Sequence, residues 1–154
     1  IVKKSVPAIP ERYQLLMQGR LKAATLPDPL AKSALEAGAG ELVSDSSHPD
    51  YSVSVLSFNV NALNHKTAAV RLFLKAWDRA AAAINSNPES FRALLLEKIR
   101  VPNNIQRTYK IPTYPRRQVP DASQWADVID WMKASGLLDS ALPYGDSVTS
   151  DYLP

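Results

Sequence analysis

Residues 12–30 read Arg12-Tyr13-Gln14-Leu15-Leu16-Met17-Gln18-Gly19-Arg20-Leu21-Lys22-Ala23-Ala24-Thr25-Leu26-Pro27-Asp28-Pro29-Leu30, and the reading of this stretch decides the fold class. Tyr13, Leu16 and Met17 recur at helical spacing. Pro10 suits a first turn, Glu11 the positive end of a helix dipole and Gly19 a stop, which predicts a helix from Pro10 to about Gly19. Lys22 to Leu26 reads as a short strand, closed by the Pro27-Asp28-Pro29 turn. A second short helix is expected from Leu30 to Ala37, ended by Gly38 and Gly40. Glu41-Leu42-Val43 reads as another short strand. Helix, strand, helix, strand is an α/β alternation, here helix-rich with a small sheet.

Downstream, residues 44–50 are polar and mark a boundary, giving an expected division into residues 1–50 and 51–154. Tyr51, Val53 and Val55 alternate with Ser52 and Ser54, the pattern of a strand with one buried face. After Asn64, which suits a helix cap, the period changes. Val70, Phe73, Leu74, Trp77, Ala80, Ala81 and Ile84 form the stripe of a long amphipathic helix, expected to pack through Trp77 onto Trp125 and Ile129. Pro88 opens another helix after Asn87, and a helical turn is expected near Asn104 to Tyr109. Asp121 or Ser123 can cap a last helix bearing Trp125, Val128, Ile129 and Met132, stopped by Gly136. The three Trp residues lie on or beside apolar stripes and read as core.

The composition is that of a folded chain: 154 residues, 45% apolar and 21% charged. No apolar run approaches the roughly 20 residues a membrane-spanning helix needs. The absence of Cys excludes disulfides, thiolate metal sites and cysteine nucleophiles. His48 and His65 have no third ligand nearby, so no metal site is expected. The formal charge of +3 is segregated: residues 51–120 hold eleven basic and three acidic side chains, and residues 121–154 hold one and six. A basic segment folded against an acidic tail accounts for this, and no nucleic-acid module is recognisable. The rival is a nucleic-acid surface built on Arg100, Arg107, Lys110, Arg116 and Arg117.

Catalytic templates are missing. There is no G-x-S-x-G elbow, Walker phosphate loop, G-x-G-x-x-G or H-E-x-x-H. Gly38-Ala39-Gly40 is a helix stop, and Asp127 and Asp130 fall on the side of their helix opposite Trp125 and Met132. The chain therefore reads as a non-enzyme without a cofactor. In open α/β sheets, ligands sit beyond the carboxyl ends of strands. That places a candidate site at Thr25, Pro27 and Asp28, with a hydroxyl, an apolar wall and a charged acceptor. Asp28 serves either to recognise a donor such as an aminopyrimidine or to cap the helix at Leu30. Glu11 and Arg12 open the preceding helix, whose free N–H groups suit an anion, and Arg12 is equally readable as a surface charge.

The order of these segments resembles periplasmic solute-binding proteins of the nitrate/sulfonate/taurine and thiamine-precursor type. In these a helix ending in Gly leads to a strand and a Pro-flanked turn, as at residues 12–30. Residues 51–58, Tyr-Ser-Val-Ser-Val-Leu-Ser-Phe, resemble the strand returning to the first lobe. Val70 to Ala80 resembles the family's long helix and Ile84-Asn-Ser-Asn-Pro88 its exit. Trp125 to Leu138, Leu142-Pro143-Tyr144 and Tyr152-Leu153-Pro154 resemble its closing helix and tail. Lys22 stands where the family often has Asp.

The resemblance implies the C-terminal part of a type II periplasmic-binding-protein fold. Residues 1–50 would end the second lobe, and 51–154 would supply the crossover and closing helices of the first. It implies a solute-binding component of an ABC importer in the periplasm or anchored to the cell envelope. Its expected partners are a small solute and an inner-membrane permease, not nucleic acid. An exposed sheet edge would also favour a homodimer.

Overall fold

The computed structural model describes residues 2–47 and 54–154. Their regular structure is helical: α1 (Ile9–Met17), α2 (Leu30–Glu36), α3 (Val60–His65), α4 (Thr67–Ser86), α5 (Arg92–Ile99), α6 (Ala122–Ala134) and α7 (Tyr144–Ser147), with 3-10 turns at Asp45–Ser47, Pro88–Phe91 and Asn103–Ile105. Among the described residues there is no strand, which corrects the α/β expectation and its small sheet. A strand needs a ladder partner for its N–H and C=O groups, and neither Lys22–Leu26 nor Glu41–Val43 has one. Leu42 and Val43 are 87% and 90% exposed. Of the strand expected over residues 51–58, residues 51–53 lie outside the described residues, and 54–57 are exposed, irregular chain.

The chain forms two compact units, Ile1–Val43 with Asn87–Pro112 and Ser44–Ser86 with Thr113–Pro154. In the first unit, Gly19 and Gly38 take φ of 68° and 95° just past α1 and α2, a left-handed geometry that glycine adopts without a Cβ clash. The apolar centre is Val101, Ile105 and Tyr109, with Leu96 and Ile99 packed against it. Beside it sits a polar joint built on a buried serine. The Ser33 hydroxyl, fully buried, donates to Asn104 Oδ1 at 2.9 Å. Its proton is thereby committed, so the Tyr13 hydroxyl at 2.9 Å is the donor to Ser33 Oγ. Asn104 Nδ2 also donates to the Ser33 carbonyl at 3.2 Å. One serine thus ties α1, α2 and the 103–105 turn together.

In the second unit, Asn59 rather than Asn64 supplies the helix cap: its Oδ1 accepts the Asn61 N–H at 2.7 Å and starts α3, which packs on α4. Asp121 and Gln124 form a reciprocal capping box at the start of α6. Trp125 Nε1 donates to the Leu142 carbonyl and Tyr144 Oη to the Pro120 carbonyl, both at 2.8 Å, and these bonds fold the tail onto α6.

The phase of α4 differs from the expected one. Val70 and Ala81 are buried as expected, but they share their face with Asp78. Phe73 and Trp77 are 47% and 49% exposed, and Trp131 on α6 is 63% exposed. Trp77 lies against Phe73, ring centroids 6.2 Å apart, and α4 approaches α3 rather than α6. The expectation that all three Trp residues are core fails because periodicity marks an apolar stripe without naming what covers it.

Ile105→Ala should cost about 2–5 kcal/mol through the cavity it leaves. Trp77→Ala, at a half-exposed site, should cost less than about 1 kcal/mol. Urea melts of the two variants decide the matter, and a larger loss for Trp77→Ala contradicts the observed phase of α4.

Candidate functional site

Arg12 lies in the first turn of α1, where its N–H bonds back to the Ala8 carbonyl at 3.1 Å. From there its guanidinium reaches the irregular 23–27 segment. Nη1 donates to the Thr25 carbonyl at 2.9 Å and to Thr25 Oγ1 at 2.8 Å. Arg12 Nε is buried with no hydrogen-bond partner. Next to Arg12 on α1, Tyr13 bonds to the buried Ser33, which in turn donates to Asn104. Two of the five expected site residues are therefore brought together.

The other three stay apart from that contact. Glu11, Pro27 and Asp28 are exposed, and neither carboxylate has an ion pair among the described residues. The capping alternative for Asp28 is not realised: the N-cap of α2 is Pro29, with no side-chain capping bond. What remains is an open corner with a guanidinium and a hydroxyl on one side and a free carboxylate at the adjoining turn. Such a corner can give charge-assisted hydrogen bonds to an anion, and Asp28 can accept from an amine. Among the described residues no cluster of three or more metal-ligating side chains exists, and no helix is long and apolar enough to cross a membrane.

Elsewhere in the same unit, an open groove of about 410 Å³ runs past Pro88, Arg107, Tyr109 and Lys110. Arg92 beside it is engaged in structure, since its Nη2 donates to the carbonyls of Gln106 at 2.7 Å and Tyr109 at 3.1 Å. Of the five cations considered for a nucleic-acid surface, Arg100 ends α5 in the left-handed region at φ 56°. Arg116 and Arg117 belong to the second unit and bind a carboxylate there.

That carboxylate is Asp78, only 6% exposed on α4. Arg116 donates from Nε to Oδ1 and from Nη2 to Oδ2, both at 2.8 Å, a two-pronged pairing. Arg117 donates from Nε and Nη2 to Oδ2 at 3.1 and 3.0 Å. Its own backbone is left-handed, φ 52°, a conformation that costs a non-glycine residue about 1–2 kcal/mol and that these bonds hold in place. Periodicity could not find this cluster. The available signal was one lone acid among the basic residues of a helix, with Pro115-Arg116-Arg117 downstream.

The hydrogen bond from Arg116 draws the Asp78 carboxyl down from 3.8 to about 2; burial opposes this, and Arg117 adds to it. A depressed folded-state pKa means stability that is fully present above the unfolded value and lost as pH falls through the folded one. Wild-type stability should therefore decline between about pH 4 and pH 2 by a component that Asp78→Asn lacks. Urea midpoints taken every half unit across that range test this, and parallel curves for the two proteins contradict it. In the comparisons with known proteins, no family model, no curated protein and no solved structure matches the chain.

Proposed function

We propose that the chain captures a small solute for an ABC importer and performs no chemistry on it. The solute class is nitrate, sulfonate or taurine-like, or a pyrimidine, and the receiving partner is an inner-membrane permease reached from the periplasm or cell envelope. The reading rests on the order of segments that resembles solute-binding proteins. The observation that supports it most is the meeting of Arg12 and Thr25 across thirteen residues of chain. A guanidinium fixed by a hydroxyl and a carbonyl through Nη1 keeps its Nη2 group free for an oxyanion. Asp28 at the adjoining turn supplies the acceptor that an amine such as that of taurine requires.

Because Thr25, Pro27 and Asp28 are exposed, the corner covers only one side of a ligand, and tight sites normally enclose 70–90% of a small ligand's surface. Titrations of the chain with taurine, nitrate and an aminopyrimidine, followed by amide chemical shifts, should move residues 11–12 and 25–28. Half-saturation should be no tighter than about 1 mM. Arg12→Gln should remove the effect. Absence of saturable shifts, or shifts that survive Arg12→Gln, contradicts the proposal.

A helical interaction module is the second reading, and the exposed aromatic row of the second unit favours it. Phe58, Phe73 and Trp77 pack in series, the first pair edge-on and the second tilted, with centroids 5.9 and 6.2 Å apart, while the latter two are half open to solvent. A second copy of the chain would bury this row. Light scattering should then show dimers that grow with concentration and vanish in the Phe73→Ser/Trp77→Ser double variant. A monomer at every concentration removes this reading.

A further inference from the structure

The second unit carries a basic groove that neither reading uses. It occupies about 600 Å³ along α4, is floored by Ala76, Ala80 and Ala83, and is rimmed by Arg79, Arg116 and Arg117. Asp78 is the one acidic residue lining it, against three arginines. Both oxygens of that carboxylate are engaged: Oδ1 accepts one hydrogen bond and Oδ2 accepts three. Arg116 and Arg117 each use only Nε and Nη2, which leaves both Nη1 groups without an acceptor among the described residues. Arg79 has no ion pair among the described residues.

Asp78 therefore acts as an orienting group. It fixes two guanidinium planes at the rim and leaves their remaining N–H groups and a surplus of two positive charges over a floor of methyl groups. Alanines bring the helix surface close without supplying a competing carboxylate or blocking side chain. Planar forks with fixed N–H donors match the oxygens of carboxylates and phosphates alike, and a surplus of two charges suits a phosphate dianion better than a halide or a single carboxylate.

We infer that Arg79, Arg116 and Arg117 form a binding site for a phosphate dianion, inorganic or carried as a monoester, over the alanine face of α4. The site lies wholly within the second unit and is independent of the Arg12–Thr25 corner. The same oxygens are presented by a soluble phosphate and by a phosphatidic acid headgroup, so the test has two arms.

In the first arm, inorganic phosphate is titrated into the whole chain against sodium chloride of equal ionic strength, and the arginine Nε–Hε resonances are followed. The signals of Arg79, Arg116 and Arg117 should move saturably with phosphate and not with chloride. Arg79→Gln, which leaves the Asp78 pairs untouched, should weaken the affinity at least tenfold. Lys133→Gln, an exposed cation on α6, should leave it unchanged. In the second arm, phosphatidylcholine vesicles with and without phosphatidic acid are offered to the same proteins. Retention by the phosphatidic acid vesicles at concentrations where free phosphate is not bound, and its loss in Arg79→Gln, assigns the phosphate to a lipid; binding of free phosphate alone assigns it to a soluble ligand. Absence of specific binding in both arms, shifts centred on Arg12, or equal losses in Arg79→Gln and Lys133→Gln overturn the inference.

Discussion

Backbone polar groups outside helices must find partners, and in this chain side chains projecting from helices supply many of them. The described residues form no sheet ladder, so their irregular segments would otherwise be held by turns alone. Arg92 on α5 gathers the carbonyls of Gln106 and Tyr109, and Gln106 Nε2 returns to the Val101 carbonyl at 3.0 Å. Asn85 near the end of α4 treats Tyr114 as a strand neighbour would, giving Nδ2–H to its carbonyl and taking its N–H on Oδ1, both at 2.8 Å. Arg12 donates to the Thr25 carbonyl, Trp125 to the Leu142 carbonyl in the tail, and Tyr144 from the tail to the Pro120 carbonyl. The positions of both candidate sites follow from these pins. Thr25 is where it is because Arg12 holds it, and Arg116 and Arg117 follow two residues after the segment that Asn85 anchors.

Local signals were legible in the sequence where a residue acts on its own neighbours. Gly19, Gly38 and Gly136 end helices in the left-handed region, as their placement after apolar stripes indicated. Asp121 caps α6, Asn87 accepts the Ser90 N–H ahead of α5, and Asp127 and Asp130 are exposed as their phase required. The short strands were not legible, because a run such as Lys22–Leu26 states an extended preference but not the identity of a partner. The face of α4 was misjudged for a related reason. Phe73 and Trp77 have the spacing of a core stripe, yet two arginines 38 and 39 residues away turn Asp78 inward, and periodicity cannot weigh a distant ion pair.

The candidate site was legible in part. Arg12 and Thr25 were each singled out for their chemistry, one as a cation at a helix start and the other as a hydroxyl at a turn, and the fold joins them. Glu11 and Asp28 carry equally apt chemistry but stay exposed, so the contact joins only two of the five residues. The arginine cluster of the second unit has the opposite character. Its cations are oriented by a buried acid, and burial of a carboxylate against two guanidiniums is stable only when every oxygen is satisfied, as it is here.

Amide hydrogen exchange at Tyr114 tests the central claim that helix-borne side chains replace a ladder. The Tyr114 N–H should be protected in the wild-type chain and should lose that protection in Asn85→Ala, while the amides inside α6 keep theirs. Protection that persists at Tyr114 in Asn85→Ala would mean that another backbone, and not a side chain, holds this segment, and the account would be wrong.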